Sequence, residues 1–370
     1  MKKLKILHTL SNDQWGGQER RVYNECRWMQ AQGHQITIVT RKGCPLYQKA
    51  IDEGWQVFGI SFNGISAPFT FFRLLSILKE VSPHVVNTHG NMDAKLALPA
   101  ARQMKTPCVI LSRHITPKVN NTWYNRLLYN RLCDLVFTTA DCTTEQVTRD
   151  LGLPKHKAHT VSSGIVPPKN LLSRKEERSK LRESLGHPPE TRYLGYVGRM
   201  DRDKGLSDIL EAFFSLRDIF PRHKLVFVGS ASEYGDELRM KADNLGLQDR
   251  VIFTGYQADP WPYYRAFDVK IIASRSNEGV AQSVLESMYC RCPVIATRIG
   301  GLPDVVHNEE NGLLVPPCDP DALSLAIRNT LSNTVDTNRR VEAAYKYINA
   351  SHTITAMGKR VLDLLQEKGL

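Results

Sequence analysis

Two glutamates stand eight positions apart in Ser276-Asn-Glu278-Gly-Val-Ala-Gln-Ser-Val-Leu-Glu286. An apolar run at 269–273 precedes this stretch, and a second apolar run, Pro293–Thr297, follows it. The pattern predicts a strand, a tight turn that holds Glu278, a helix that holds Glu286 about one turn from its start, and a second strand.

The start of that helix is a candidate anion site. The amides of Ala281 to Ser283 would have no acceptor within the helix, and the helix dipole favours negative charge at this end. A diphosphate would suit the helix start, and a carboxylate on either side can accept hydrogen bonds from sugar hydroxyls. The stretch therefore predicts a site for a sugar nucleotide.

Strand-like and helix-like stretches alternate along the rest of the chain, which predicts parallel, doubly wound sheets of the α/β class. A chain of 370 residues is longer than a single hydrophobic core usually supports, so we predict two domains. An N-terminal domain is placed at 1–165, and a proline-containing, charged linker at 166–190. A C-terminal domain follows at 191–349, and a helix at 350–370 could pack back on the first domain.

Basic residues outnumber acidic residues by 49 to 38, which gives a net charge of +11. This surplus fits a negatively charged partner such as a phosphorylated substrate, an anionic membrane surface or a nucleic acid. The sequence lacks zinc-finger, aromatic RNA-binding and basic-zipper motifs, so we predict no nucleic-acid partner. Because no apolar run reaches about 18 residues, we expect no spanning helix. The eight cysteines are scattered and form no CxxC pair, which favours reduced thiols in a cytoplasmic protein.

Ligands of open parallel sheets bind beyond the carboxyl ends of the strands, and several candidate residues lie there. Gly16 and Gly17 follow the first strand and would let the backbone approach a ligand at a helix start, although an ordinary turn explains them equally well. Arg199 and Lys204 follow a later strand. Two cations on one loop can both bind a diphosphate. The alternative is a basic loop that is merely solvated.

Metal binding is not predicted. Asp201-Arg-Asp203 fits a loose pattern of metal-binding transferases, but it lies between two cations and has no further ligand in the sequence. Cys290-Arg-Cys292 is too closely spaced for an ordinary zinc site.

Two histidines compete for a role at the sheet edge. His114 follows one predicted strand and His89 the strand before it, and either could hydrogen-bond a sugar hydroxyl or help to move a proton. Nearby, the stretch Asn121–Leu132 mixes aromatic, aliphatic and basic residues. It predicts either a surface for membrane or acceptor, or a core helix with Arg126 and Arg131 in solvent.

Further motifs extend the pattern beyond the two glutamates. They are Arg291-Cys-Pro-Val-Ile-Ala-Thr-Arg-Ile-Gly-Gly-Leu-Pro-Asp304 and Asn311-Gly-Leu-Leu-Val-Pro316. Together with Gly198-Arg199…Lys204-Gly205 and the early glycine pair, they resemble family 4 of the retaining glycosyltransferases, including bacterial members that build lipopolysaccharide or capsule. The resemblance covers nearly the whole chain and implies a GT-B fold, in which two Rossmann-like domains face each other across a cleft. It implies that 1–165 is the Rossmann-like, acceptor-binding domain and that 191–349 is the Rossmann-like, nucleotide-sugar-binding domain.

The resemblance also implies roles for individual residues. Arg199 and Lys204 would hold the donor diphosphate, Glu286 would accept from the ribose hydroxyls, and Glu278 and His114 would contact the donor sugar. The implied catalytic residues are Glu278, His114, Arg199 and Lys204, and the implied donor-binding residues are Gly16, Gly17, Arg199, Lys204, Tyr256, Glu278, Gly279, Val280, Ala281 and Glu286.

The implied activity is a metal-independent hexosyltransferase without a cofactor, whose donor is a UDP- or GDP-linked sugar. The acceptor would be a glycan or glycolipid, with peripheral contact to the anionic inner face of the cytoplasmic membrane. Many family members have Gly-Phe-Gly where this chain has Gly279-Val-Ala-Gln282, which leaves the donor sugar open. A nucleotide-sugar epimerase on the same fold and a non-catalytic binder of anionic polymers remain as alternatives.

Overall fold

The computed structural model describes residues 2–62, 67–230, 233–276 and 278–370. The chain divides into two compact units, each built around its own parallel sheet. The first unit contains the chain up to Gly164 together with Thr353–Leu370, and the second unit contains Ile165–His352.

The first unit has a seven-stranded parallel sheet in the order β3-β2-β1-β4-β5-β6-β7. Its inner strands are apolar and buried, as expected for a parallel sheet covered by helices on both faces. The strands are β1 (Lys5–Thr9), β2 (Gln35–Thr40), β3 (Gln56–Gly59), β4 (Val85–Thr88), β5 (Cys108–Arg113), β6 (Leu135–Thr138) and β7 (Ala158–Thr160).

Seven described helices cover this sheet, six from the N-terminal part of the chain and one from its end. They are α1 (Gly17–Ala31), α2 (Pro45–Asp52), α3 (Ala67–Val81), α4 (Asn91–Gln103), α5 (Trp123–Leu127, continued by a π-helical turn over Leu128–Leu132), α6 (Asp141–Leu151) and α14 (Ile354–Gln366).

The second unit has a six-stranded parallel sheet in the order β10-β9-β8-β11-β12-β13. The strands are β8 (Arg192–Val197), β9 (His223–Val228), β10 (Val251–Phe253), β11 (Val269–Ile272), β12 (Val294–Thr297) and β13 (Leu313–Val315). The helices are α7 (Arg174–Ser184), α8 (Leu206–Leu216), α9 (Glu233–Asn244), α10 (Trp261–Ala266), α11 (Gln282–Tyr289), α12 (Pro320–Ser332) and α13 (Thr334–Ser351). None of the helices in the described part of the chain is long and apolar enough to cross a membrane.

Residues 174–184, which the sequence analysis placed in a linker, form helix α7 of the second unit. Ser173 caps the helix by accepting from the amide of Glu176, and Glu176 accepts in return from the amide of Ser173, at 2.9 Å. Arg178 on this helix is buried and pairs with Asp268 at 2.6 Å, which ties the helix to the sheet. Some of the charged residues of the segment therefore serve the cap and the attachment of the helix.

Helix α14 packs on α1 within the first unit, and its apolar face joins the core that contains Val22 and Cys26. Gly358 marks the closest approach, since a Cβ atom at this position would lie 2.2 Å from Cε3 of Trp28. The two helices therefore meet where only a glycine fits.

We expect Gly358→Ala to lower the free energy of unfolding by about 1–3 kcal/mol, because the added methyl group must displace the Trp28 ring from a packed core. Urea denaturation would measure the change. Lys359→Ala, which alters an exposed side chain in the same helix, is the matched control and should have little effect. Equal stability of Gly358→Ala and the native chain would contradict this close packing.

Candidate functional site

Two loops of the second unit meet at the carboxyl ends of the neighbouring strands β8 and β11. Gly205, in the loop after β8, has a φ of +64°, and a Cβ atom there would lie 1.9 Å from the carbonyl oxygen of Ala273. Only glycine allows both the left-handed backbone and this contact. The close approach brings Lys204, the residue before Gly205, to the turn that holds Glu278.

Lys204 and Glu278 form an ion pair at this meeting point, with 2.9 Å between Nζ and Oε2. Their side chains are only 14% and 15% exposed, so the pair is shielded from solvent. The hydroxyl of Ser274 donates to the same carboxylate oxygen. Two donors thus hold the Glu278 carboxylate in one orientation.

The main chain of Glu278 is fixed from the other side by the loop after β12. The amide of Gly301 donates to the Glu278 carbonyl at 2.9 Å. Gly300 has a φ of +54°, and a Cβ atom there would lie 1.9 Å from that carbonyl oxygen. The motif glycines at 300 and 301 therefore position the turn that carries Glu278.

Helix α11 begins just after this turn, at Gln282. Within the described part of the chain no side chain caps its start at Ala281, and the preceding residues Gly279 and Val280 are half-buried. Glu286 is buried, a little more than one turn into the helix. The order strand, turn, helix and strand that the glutamate stretch predicted is therefore present.

Arg199 forms a different ion pair in this structure. Its side chain is 78% exposed, and its guanidinium pairs with Asp201 at 3.0 Å. The backbone at this position is anchored, because the Tyr196 hydroxyl donates to the Arg199 carbonyl at 2.7 Å. Tyr256, which follows β10, is 60% exposed.

Lys270, which the sequence analysis overlooked within its apolar run, lies in the middle of β11 and is completely buried. Its ammonium donates to the carbonyl of Ile271 at 3.0 Å and lies 4.7 Å from the centre of the Tyr196 ring. Burial lowers the pKa of Lys270 to about 7, although Cys292, Glu278 and Glu286 act in the opposite direction.

Lys270 should therefore make stability depend on pH. In the unfolded chain the amine keeps its proton up to about pH 10.5, the ordinary value, whereas in the folded chain it releases it near pH 7. Between these values the unfolded state binds more protons, so the free energy of unfolding rises with pH, by at most about 1.4 kcal/mol per pH unit.

Urea denaturation between pH 7 and pH 9.5 would test this, with Lys270→Met for comparison. We expect the native chain to gain stability with rising pH relative to Lys270→Met, which has no amine to titrate. Lys346→Met, which changes an exposed side chain of α13, should follow the native curve. If the free energies of unfolding of the native chain and of Lys270→Met changed in parallel with pH, the lowered pKa of Lys270 would be refuted.

The first unit contains a cavity of about 470 Å³ at the carboxyl ends of β4 and β5. His89 and His114, the two competing histidines, both line it. Gly17 begins α1 as expected, and the amide of Gly16 donates to Glu19 at 2.9 Å. Among the described residues, Gln18 rather than either glycine contributes to the cavity wall.

The wall of this cavity mixes polar and apolar side chains, and the charged side chains in it are positive. Lys95, Arg113 and Lys118 line it together with several asparagines, and no aspartate or glutamate is among the described residues of the wall. Arg113 is only 6% exposed, and its Nε has no hydrogen-bond partner among the described residues. The cavity therefore suits a ligand with hydroxyl groups and negative charge.

The two histidines belong to a row of three, because His8 in β1 continues it into the interior. His8 Nδ1 lies 2.8 Å from His89 Nε2, and His89 Nδ1 lies 2.9 Å from His114 Nε2. Neighbouring rings are stacked with centres 5.1 Å apart. Burial lowers the pKa of His8 to about 4 and places the pKa values of His89 and His114 well below 6.5.

The backbone of the row is fixed by Asp93, a fully buried carboxylate in the first turn of α4. It accepts from the hydroxyls of Thr9 and Ser11, at 2.7 and 2.8 Å, and from the amide of His89 at 3.1 Å. Burial raises the pKa of Asp93, and these three hydrogen bonds oppose that change.

Sequence reasoning missed His8, Ser274 and Lys270, which all lie in or directly after apolar strands. The sequence did contain a signal for His8. It lies near the end of the first strand, and His89 and His114 directly follow the strands β4 and β5. Ser274 is the first residue after the apolar run at 269–273, where side chains at the sheet edge are expected.

Known proteins resemble this chain along most of its length. Residues 15–167 match the family model described as Glycosyltransferase Family 4, and residues 177–347 match the model described as Glycosyl transferases group 1. A D-inositol 3-phosphate glycosyltransferase of Corynebacterium jeikeium is 36% identical over 346 residues, which cover 82% of this chain and 81% of that protein.

Two further proteins match less closely. The lipopolysaccharide core biosynthesis glycosyltransferase LpsE of Rhizobium meliloti is 29% identical over 187 residues, which cover 50% of this chain and 53% of that protein. The crystal structure of Anabaena Alr3699/HepE in complex with UDP-glucose matches with a TM-score of 0.82 at 19% identity and covers 98% of this chain and 100% of that chain, a likeness of fold.

The family models match most of the chain in two consecutive pieces. The fold matches the crystal structure of a glycosyltransferase from Rickettsia africae with a TM-score of 0.90 at 21% identity, which covers 100% of this chain and 99% of that chain. The chain belongs to glycosyltransferase family 4 and has the GT-B fold of two Rossmann-like domains, which confirms the resemblance seen in its motifs.

Proposed function

We propose that this glycosyltransferase is a retaining, metal-independent hexosyltransferase that uses a UDP- or GDP-linked sugar. Its acceptor is a glycan or glycolipid with negative charge, such as a lipopolysaccharide precursor. The observation that carries the proposal is the Lys204–Glu278 pair, held between two glycine-dependent loop contacts at the strand ends of the second unit.

Lys204 is suited to hold the diphosphate without releasing Glu278. An ammonium group has three hydrogens, and the Glu278 carboxylate uses one of them. Arg199 can join from its exposed position, because a surface pair such as Arg199–Asp201 stabilises by at most about 1 kcal/mol and is easily exchanged for a phosphate. Two cations would then stabilise the charge that develops on the leaving diphosphate.

The remaining donor contacts follow from the same turn and helix. Glu278 would accept from hydroxyls of the sugar, the amides from Gly279 to Ala281 would approach its phosphate or hydroxyl oxygens, and Glu286 would accept from the ribose. Tyr256 lies after β10, where the base would bind. The UDP-glucose bound to Anabaena HepE supports a uridine nucleotide as the first donor to test.

The transfer would occur on one face of the sugar. The bond between the anomeric carbon and the phosphate oxygen breaks, and the acceptor oxygen forms its bond to the same carbon on the same face. A phosphate oxygen of the leaving group takes the acceptor proton. The protein contributes positive charge and orientation to this step rather than a nucleophile.

The acceptor is assigned to the cavity of the first unit, whose charge is entirely positive. The name of the Corynebacterium relative, which specifies an inositol phosphate, and that of LpsE, which specifies the lipopolysaccharide core, both support an acidic acceptor. Peripheral contact with an anionic membrane from the cytoplasmic side fits the same region. Trp123 is 77% exposed and Arg126 and Arg131 are exposed, while Leu128 of this segment is buried in the core.

We expect Lys204→Met to lower the rate of acceptor-dependent nucleotide release roughly ten- to a hundredfold, because charge-assisted hydrogen bonds to the diphosphate are lost. Release of UDP or GDP from the donor sugar would be measured with and without a lipopolysaccharide acceptor. Lys346→Met is the matched control. An epimerase would instead convert the donor without any acceptor, and that outcome would contradict the proposal.

Removal of positive charge from the cavity should selectively weaken the binding of an acidic acceptor. We expect the double variant Lys95→Gln, Lys118→Gln to lower kcat/KM about tenfold for an acceptor with its phosphates intact, since an acidic ligand loses two nearby cations. For the same acceptor after dephosphorylation, the double variant should have nearly the same kcat/KM as the native chain. Lys79→Gln, on the exposed face of α3, is the control, and equal losses with both acceptors would refute an acidic ligand.

A further inference from the structure

The loop that follows β1 supplies part of the cavity wall in the first unit. Ser11 and Asn12 lie in this loop, Gln18 lies in the first turn of α1, and all three line the cavity. Ser11 is half-buried, so it has contact both with the protein interior and with the space that a ligand can enter.

On its interior side, Ser11 is paired with a fully buried carboxylate. The Ser11 hydroxyl donates to Oδ1 of Asp93, in the first turn of α4, at 2.8 Å. Gly90 makes room for this contact, because a Cβ atom at Gly90 would lie 2.6 Å from Ser11 Oγ and 2.4 Å from Asp93 Oδ1. The pair is therefore part of the packed fold and not a chance meeting of two surface side chains.

The groups around Asp93 favour its ionised form. The hydroxyl of Thr9 and the amide of His89 both donate to Oδ2, at 2.7 and 3.1 Å. Burial raises the pKa of Asp93, and hydrogen bonds from four groups, the Gly90 backbone among them, oppose that change. The start of a helix also stabilises negative charge. An ionised carboxylate has no hydrogen to give, so the hydrogen between Asp93 and Ser11 belongs to Ser11.

This contact decides what Ser11 can offer to a ligand. A serine hydroxyl has a single hydrogen, and Asp93 takes it. The remaining lone pairs of the Ser11 oxygen can accept a hydrogen bond but cannot donate one. A ligand hydroxyl, which carries a hydrogen, satisfies them, whereas an ionised phosphate or carboxylate oxygen does not.

Two amide side chains beside Ser11 are held in a similar way. Asn12 Nδ2 donates to the buried carboxylate of Glu19 at 2.8 Å, and Gln18 Nε2 donates to the carbonyl of His89 at 3.0 Å. Each amide thus has one hydrogen committed to the protein, and its carbonyl oxygen remains an acceptor. The loop after β1 therefore adds mainly accepting groups to the wall.

The charged side chains on the other side of the cavity can only donate. Arg113, at the end of β5, and Lys118, in the loop after it, both line the cavity. Strand β4 lies between β1 and β5, so the loops that follow β1 and β5 start about 10 Å apart. The wall therefore differs in character from one side to the other.

We propose that Ser11 binds the ligand of this cavity by accepting a hydrogen bond from one of its hydroxyl groups, and that Asp93 is the positioning residue that turns the Ser11 hydrogen away from the ligand. The negative charge of the same ligand lies on the Arg113 side, so the cavity admits it in one orientation. The identity of this ligand as the sugar acceptor rests on the proposed function, whereas the direction of the Ser11 hydrogen is a property of the first unit alone.

Carbon NMR of the native protein with labelled aspartate would test the carboxylate directly at pH 7.5, without donor or acceptor. The Asp93 signal is identified by its loss in Asp93→Asn and by its shift in Ser11→Ala, which serves alone if the first variant does not fold. We expect an ionised carboxylate. A neutral Asp93 could donate to Ser11 and would overturn the proposal. This spectrum remains decisive if no transfer reaction is ever detected.

Fluorinated ligands would show whether Ser11 accepts or donates. The probes are a phosphorylated core oligosaccharide of lipopolysaccharide and analogues in which fluorine, which has no hydrogen to donate, replaces one hydroxyl at a time. We expect one replacement to weaken binding to the native chain about five- to tenfold by calorimetry, and to have no effect in Ser11→Ala. Ser76→Ala, on the exposed face of α3, should behave as the native chain.

Two results of the binding measurements would overturn the role of Ser11. In the first, every replacement weakens binding equally in the native chain and in Ser11→Ala. In the second, the loss caused by Ser11→Ala disappears when the phosphates of the oligosaccharide are removed, which would mean that Ser11 donates to the anionic group.

A double-variant cycle tests whether Asp93 acts through Ser11. Asparagine has an NH2 group that can donate to Ser11, which would turn the Ser11 hydrogen toward the cavity. We expect Asp93→Asn to weaken binding of the oligosaccharide about tenfold in the native chain and less than twofold in Ser11→Ala, where no hydroxyl is left to turn. Equal losses in both backgrounds would show that Asp93 only supports packing and would contradict a positioning role.

Discussion

The candidate donor site depends on two contacts that exclude any side chain. Gly205 lies against the carbonyl of Ala273 and Gly300 lies against the carbonyl of Glu278, each so closely that a Cβ atom would be 1.9 Å from oxygen. These contacts bring loops from neighbouring strands together and place the Lys204 ammonium on the Glu278 carboxylate. The glycines of the family motif are therefore structural requirements for the charged pair between them.

Burial determines the chemistry of the groups beneath both candidate sites. In the first unit it keeps three histidines uncharged, so that they can share hydrogens in a row instead of repelling one another. In the second unit it lowers the pKa of Lys270, which lies under the loops that carry Arg199 and Glu278. In the first unit the parallel sheet brings the histidines together at one edge, because the carboxyl ends of neighbouring strands coincide there.

The sequence predicts most of the fold because buried parallel strands are apolar and regularly spaced. The strand at 269–273, the turn at Glu278 and the helix at Glu286 are all found, since motif residues mark them. The edge strand Gln56–Gly59 is not predicted because it is short and only two of its four residues, Val57 and Phe58, are apolar and half-buried. Helix α7 was mistaken for a linker because its charges find partners only in the folded unit, although Ser173 and Glu176 carry a recognisable capping pattern.

The sites are less predictable than the elements, because side-chain contacts join residues that are distant in the sequence. Lys204 and Glu278 were both singled out, but their ion pair spans 74 positions and depends on how two loops pack. His8 and Lys270 are polar residues within apolar strands, so the hydrophobic pattern gives no sign of them. Only the folded structure reveals their neighbours. The roles assigned to Arg199, Tyr256 and Glu286 in donor binding remain predictions.

The most direct test of a donor site in the second unit is the thermal midpoint in the presence of UDP-, GDP-, ADP- and CMP-sugars, measured without added metal for the native chain and for Glu286→Ala. Binding to the folded state must raise the midpoint. We predict that one nucleotide class raises the midpoint of the native chain and has no effect on the variant, which lacks the carboxylate for the ribose. A chain stabilised by no donor, but stabilised by nucleic acid or an anionic glycan, would contradict the account.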